Sequence, residues 1–325
     1  AKKISEFLAD IGQKNIREDY MRRFTAHIKP GPTRLYDIIS ISSSSELLEC
    51  LDYGYNRDND DFSQINLSLA LDNDKGIPVR YDPYPGSIAD ISTLRNTICQ
   101  LKDAGSKQFR LIMDRIFFSQ TILVELLDEN ILFILPATDQ LASVKELMSM
   151  SQNKVKQAQY LQKSEEGPVF VMPVTLEHHY DLDDRPRIIT IKGYCYYDPK
   201  REQDERDWFY VQLIDAVERL KKVRPHTWKR PDVVVNEVTK GFARFLNWKF
   251  IDGKFEVSIK QKAVTQRMNR FGRFILFYNG DVDWHSCLTL YRQRDDVEKC
   301  FFRMMHDLES LPLNTRRDDI VRGYV

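Results

Sequence analysis

The segment Leu35-Tyr36-Asp37-Ile38-Ile39-Ser40-Ile41 constrains the fold more than any other stretch of this chain. It is a short apolar run of strand character with a carboxylate inside it. A buried carboxylate without a partner is expensive, so such a strand must lead to a place where the charge is used or matched. The pattern returns at Phe109–Met113, which runs straight into Asp114. Taken singly, either acid reads equally well as a turn cap. Two of them, on strands that one sheet would bring side by side, are less ordinary.

The order of elements strengthens this. Residues 1–28 carry apolar positions at helical spacing, and Lys29-Pro30-Gly31-Pro32 breaks them. After the first acidic strand come a polar Ser42–Ser45 turn and a short helix expected over Glu46–Leu51. Strands follow at Ile65–Leu71 and Ile77–Tyr84, joined by an Asn73-Asp74-Lys75-Gly76 turn. A helix capped by Asp90 runs to Ala104. The second acidic strand leads into a helix over Ser119–Glu129, and a buried strand covers Ile131–Leu135. A three-strand meander extended by parallel strands through helical crossovers is the RNase H-like order. The predicted fold is therefore α/β: an RNase H-like, mixed five-stranded sheet flanked by helices.

Residues 139–272 break that pattern. A polar helix is expected over Val144–Gln162, strands of the block's own over Val169–Leu176 and Arg187–Tyr197, helices over Gln203–Val223 and Asp232–Leu246, and a hairpin around Asp252-Gly253. The chain thus divides into a helical connector (1–33), a core (34–138), a large α+β insertion (139–272) and a closing strand and helix (273–325). A closing strand is expected at Arg273–Tyr278 and a long helix over Leu288–Leu308.

That last helix supplies a third acid. Tyr291, Arg294 and Glu298 are spaced by three and then four residues. At about 100° per residue they lie within roughly 60° of one face. On its own this is more simply a solvated helix with i,i+4 charge pairs. With the two strand acids it becomes a candidate third corner, because two-metal phosphoryl transfer needs carboxylates that converge on ions about 3.5–4 Å apart.

The motif Tyr-x2-Arg-x3-Glu resembles the signature helix of the insertion-sequence-four transposase superfamily. YDIISISSSSELLECLDYGYNRDNDDFSQINLSLALD resembles that family's first catalytic strand and following loop, and IPVRYDPYPGSIADISTLRNTICQLKDAG its third strand and first crossover helix. LIMDRIFFS resembles its second catalytic motif. The resemblance covers about residues 30–138 and 270–325, and is weaker through the insertion.

It implies a DNA transposase that cleaves phosphodiesters and transfers strands at insertion-sequence ends. Asp37, Asp114 and Glu298 would be the catalytic acids and the ligands of Mg²⁺, with Mn²⁺ able to substitute. Tyr291 and Arg294 would grip DNA phosphates, with Arg57 and Arg115 as further contacts. The implied partners are double-stranded DNA, namely terminal inverted repeats and target, and a second copy in a synaptic homodimer. The implied location is the cytoplasm, at the nucleoid.

Three departures stand out. Met305 occupies the place of the family's lysine, Ile116 that of a glycine after Asp114-Arg115, and Ile39 that of a threonine. Met305 and Ile116 favour the alternative reading, a catalytically impaired relic or DNA-binding fragment of the same fold, while the intact acid triad favours the enzyme. An RNase H-like nuclease without strand transfer is a third possibility.

The rest of the sequence narrows the field. Lys+Arg and Asp+Glu both number 48, so DNA binding would rely on local basic patches. Lys221–Arg230, which includes Trp228, and Lys260–Arg273 either track a DNA backbone or form solvated basic surface. His178-His179 with Asp181, Asp183 and Asp184 is better read as a solvated loop than as a metal site. Five scattered cysteines suit a reducing compartment. There is no membrane-length apolar run and no phosphate-binding glycine loop that would call for a nucleotide cofactor. Both ends fall mid-pattern, as in a fragment of a longer protein.

Overall fold

The computed structural model describes residues 2–13, 16–43, 63–88, 90–106, 108–138, 141–182, 185–224, 230–307 and 317–324. In chain order the elements are α1 (Lys2–Gln13), α2 (Ile16–Ile28), β1 (Thr33–Ser43), β2 (Ser63–Asp72), β3 (Ile77–Pro85), α3 (Asp90–Asp103), β4 (Arg110–Met113), α4 (Gln120–Asp128) and β5 (Leu132–Pro136). They continue as α5 (Ala142–Ser151), β6 (Leu161–Ser164), β7 (Gly167–Leu182), β8 (Arg185–Tyr197), α6 (Pro199–Lys222) and α7 (Pro231–Thr239). The last are β9 (Leu246–Ile251), β10 (Lys254–Ile259), α8 (Gln261–Met268), β11 (Arg273–Tyr278), α9 (Trp284–Gln293), α10 (Asp295–Phe302) and α11 (Asp318–Tyr324).

Nine strands form one mixed sheet in the order β3-β2-β1-β4-β5-β11-β8-β7-β6, flanked by helices. The first five strands in the chain occupy one side of it in the expected order. β1, β2 and β3 form an antiparallel meander, while β4 lies parallel to both β1 and β5. β11 closes antiparallel on β5. The sheet is larger than the five strands expected. The two segments expected to belong to the insertion alone, Val169–Leu176 and Arg187–Tyr197, fall in β7 and β8 of this same sheet. Period-two alternation reports which faces a strand buries, not which strand it pairs with.

The chain divides into two compact units. The first comprises residues 1–144, 175–193 and 276–325, the second residues 145–174 and 194–275. In the first unit, Leu111, Ile112 and Met113 of β4 and Phe133, Ile134 and Leu135 of β5 are fully buried. Such continuous apolar runs suit parallel strands covered on both faces. α4 starts at Ser119, whose hydroxyl accepts from the Ile122 amide, and buries Ile122, Leu123 and Leu126. Each such side chain contributes roughly 1.5–3 kcal/mol of burial.

α2 is tied to β3 by charge. Arg80 donates to both oxygens of Glu18 and both of Asp82, each at 2.7 Å, and Arg17 reaches Asp82 at 3.0 Å. At α1 and α11 two helices cross closely. A side chain at Gly12 would collide with the backbone of Asp319, and one at Gly323 with that of Leu8.

The second unit has its own core. Phe209, Leu213, Ala216 and Leu220 repeat at helical spacing along α6 and meet Val234, Val235, Phe245, Phe255, Val264 and Phe271. Asp198 caps α6 by accepting from the Lys200 and Arg201 amides, with Pro199 in the first turn. β9 and β10 form the expected hairpin. Asp252 and Gly253 take positive φ, 50° and 72°, as its two-residue turn requires. The expected polar helix over Val144–Gln162 ends at Ser151 as α5, and Leu161-Gln162 already belongs to β6.

Candidate active site

The register of β1 and β4 places the two strand acids. Tyr36 stands opposite Met113 in this parallel pair, so Asp37 and Asp114 are the next residues of adjacent strands. Strand spacing alone puts their backbones about 4.8 Å apart. Asp37 remains inside β1, opposite Leu69 of β2, and is 8% exposed. Asp114 follows the end of β4 and caps a 3-10 turn over Arg115–Phe117. Each carboxylate accepts from the amide of the next residue: Ile38 to Asp37 at 2.8 Å and Arg115 to Asp114 at 2.6 Å. The capping reading of Asp114 is therefore true, and it is compatible with a second role.

The third acid arrives on α10, which packs against β1. The long helix expected over Leu288–Leu308 is divided. α9 ends at Gln293, α10 begins at Asp295, and Arg294 lies between them with helical backbone angles. The near-continuous path still brings the expected trio together. The Arg294 guanidinium lies over the Tyr291 ring, 5.9 Å from its centroid, and its Nη1 is 2.8 Å from Glu298 Oε1. The same Nη1 is 3.8 Å from Asp37 Oδ2, while Nη2 is 3.9 Å from Asp295 Oδ1. Sequence reasoning missed Asp295; its adjacency to Arg294 was the available signal.

Arg294 is thus a largely buried cation among carboxylates, with its side chain 12% exposed. Burial opposes its charge. The fields of Asp114, Glu298, Tyr291 and Asp37 outweigh that cost and hold the guanidinium more firmly protonated than an ordinary arginine. All three expected acids act on this one group. Yet Nε and Nη1 have no well-aligned hydrogen-bond acceptor. Among the described residues, no three His, Cys, Asp or Glu side chains stand together as a ready metal cage. The donor set itself, three carboxylates, is the hard-oxygen chemistry that Mg²⁺ and Mn²⁺ prefer.

Other expected residues fall differently. Arg57 lies outside the described residues, as do the Ser44-Ser45 and Glu46–Leu51 segments and Trp228. Arg115 adjoins Asp114 and is exposed. Ile116 does not crowd its turn. It is absent from the positive-φ positions, so the backbone makes no demand for glycine, and its side chain is 42% exposed. Ile39 lies two residues along β1 from Asp37, on the same face.

Met305 sits in a π-helical turn, Arg303–Asp307, that follows α10. It is therefore not two regular α-turns beyond Glu298, as a continuous helix would have it. His178 lies in strand β7 rather than in a loop, between Ser143 Oγ at 3.3 Å and Gln120 Oε1 at 3.2 Å. In the Lys260–Arg273 stretch, α8 exposes Lys262, and Arg267 lies over the Phe271 ring.

Residues 42–324 match the family model described as "Transposase DDE domain". The chain belongs to this transposase DDE domain family. Asp114 and Glu298 fall inside the match, and Asp37 lies just ahead of it. Among solved structures, the chain is similar to the piggyBac transposase in a cryo-EM synaptic complex with hairpin DNA, at 9% identity and a TM-score of 0.40. That overlap takes in 91% of this chain and 45% of the other, so the chain spans less than half of that protein's length. No curated protein matches it. Among the described residues, no helix is long and apolar enough to cross a membrane.

Proposed function

We propose that this chain is the catalytic region of a DNA transposase of the insertion-sequence-four type, cleaving phosphodiesters and transferring strands at the ends of its element. The observation that carries the reading is the grouping of Asp37, Asp114 and Glu298 about one guanidinium, within a chain of the transposase DDE domain family. The strand order β3-β2-β1-β4-β5 supports an RNase H-like core. We read the insertion, residues 139–272, as containing most of the second unit, residues 145–174 and 194–275.

In this reading Asp37, Asp114 and Glu298 hold divalent ions, Mg²⁺ or Mn²⁺. Such ions activate an attacking oxygen and stabilise a leaving one at phosphorus. The chain's own part is positional. β1 and β4 fix two carboxylates side by side, α10 brings the third, and Tyr291 and Arg294 supply a ring and a fork suited to a phosphate. Arg115, exposed beside Asp114, is a further phosphate contact. Terminal inverted repeats and target DNA are the substrates, and a homodimer is the working assembly.

The test is metal-dependent nicking of a labelled inverted-repeat duplex. Asp114→Ala should abolish it, whereas nicking that survives Asp114→Ala removes the site assignment. A reading as a DNA-binding relic rests on Met305, where the related signature has lysine. Met305→Lys that raises nicking at least severalfold would favour an impaired enzyme over a relic.

A further inference from the structure

We infer that Arg294 is the resident cation of the three-acid centre, and that it must release the acids before a divalent ion can be held there. This rests on the metal-site reading above and adds a competition that the reading does not require.

The argument starts from Asp37. A carboxylate that is 8% exposed needs a counter-charge. Arg294 provides one, with Nη1 3.8 Å from Asp37 and 2.8 Å from Glu298. A guanidinium and a divalent ion on those oxygens would repel one another in a partly buried site. Arg294 and the metal therefore compete for the same carboxylates.

Arg294 is also held in a way that lets it leave. Charge keeps it in place, but its Nε and Nη1 lack aligned acceptors, so few directional bonds must break. Tyr291 offers a ring face along the way. Asp295, whose side chain is 66% exposed, lies 3.9 Å from Nη2 on the solvent side. An outward turn of the arginine thus finds a carboxylate waiting. The released fork is also free to take a phosphate, which it suits by shape and charge. Filling the acid centre with metal and freeing Arg294 are then one coupled equilibrium, and coupling of this kind is commonly worth about 5–150-fold in affinity.

The experiment titrates Mn²⁺ into the chain and follows free Mn²⁺ by electron paramagnetic resonance, without DNA. Arg294→Gln should bind Mn²⁺ about tenfold more tightly than the parent. Arg294→Lys, which keeps the charge, should stay near the parent value, an outcome that a merely structural role would not give. Equal affinity in parent and Arg294→Gln, or weaker affinity in the variant, overturns the exchange while leaving the metal site standing. Absence of Mn²⁺ binding by both chains overturns the metal site and the exchange together. A second measurement uses the parent alone. The Arg294 Nε–Hε resonance should shift along the Mg²⁺ binding curve, and a signal unmoved at saturation overturns the inference even if the variant fails to fold.

Discussion

Arg80 is buried and Arg294 largely so; both belong to the first unit, and they are held in opposite ways. Arg80 directs Nε, Nη1 and Nη2 to the four oxygens of Glu18 and Asp82, all at 2.7 Å. With Arg17 added, that cluster sets two positive charges against two negative ones. Burial works against the Arg80 charge, but the two carboxylates more than offset it. Around Arg294 the distances beyond Glu298 are looser, 3.8 Å to Asp37 and 3.9 Å to Asp295, and two of its nitrogens lack aligned acceptors. The first cluster is neutral and saturated, so it fixes α2 on β3. The second leaves two nitrogens of its arginine without aligned acceptors, which suits the exchange inferred above. The two arginines thus differ less in burial than in the state of their bonding.

The comparison can be broken by removing each arginine. Arg80→Leu strands Glu18 and Asp82 around an apolar side chain. It should cost about 3–5 kcal/mol, the usual result of deleting one partner of a buried pair, read as a lower urea midpoint. A loss under about 1 kcal/mol would mean that the saturated cluster is not structural. Arg294→Gln should cost less than Arg80→Leu, since its nearest partner Glu298 is 55% exposed and its buried partner Asp37 stands at 3.8 Å rather than the 2.7 Å between Arg80 and Asp82. A loss as large as that of Arg80→Leu would erase the distinction.

The smallest effect belongs to an exposed pair. Arg317, with help from Gln13, holds the Asp319 carboxyl down to about 2 from its ordinary 3.8. A depressed carboxyl contributes stability above its unfolded value and loses it as pH falls through the folded one. The link between α1 and α11 should therefore persist through pH 3.8 and fade only near pH 2. An NMR titration of Asp319 with a midpoint at 3.8 would show that the pair does not form in solution.

Much of this was legible in the sequence, for identifiable reasons. β1 to β5 declared themselves because apolar alternation and Asn-Asp-Lys-Gly turn chemistry act locally. Asp37 and Asp114 stand out because a carboxylate in an apolar strand is costly anywhere. Glu298 stands out only beside those two acids and the family resemblance, since its spacing alone reads as a solvated helix. The placement of β7 and β8 was not legible, since pairing across a sheet is decided by distant residues. The inward role of Arg294 was equally hidden. In sequence, Arg294 and Glu298 read as a solvated i,i+4 pair, and only the packing of α10 on β1 brings Asp37 to that pair. Ile116 gave a false alarm, because glycine's freedom matters only where φ is positive.

The π-helical turn at Arg303–Asp307 bears on how such chains are compared at all. A spacing motif works as a ruler: it assumes that a fixed count of residues always returns to the same side of a helix. A turn closed by i→i+5 rather than i→i+4 bonds takes up one residue more, so from Arg303 onward the ruler is out of phase. The residue seven places after Glu298 is Met305 by count, but that count no longer names a direction in space. In this protein a one-residue deletion within 303–307 would re-aim every later side chain of the turn, a larger change than any single substitution at Met305.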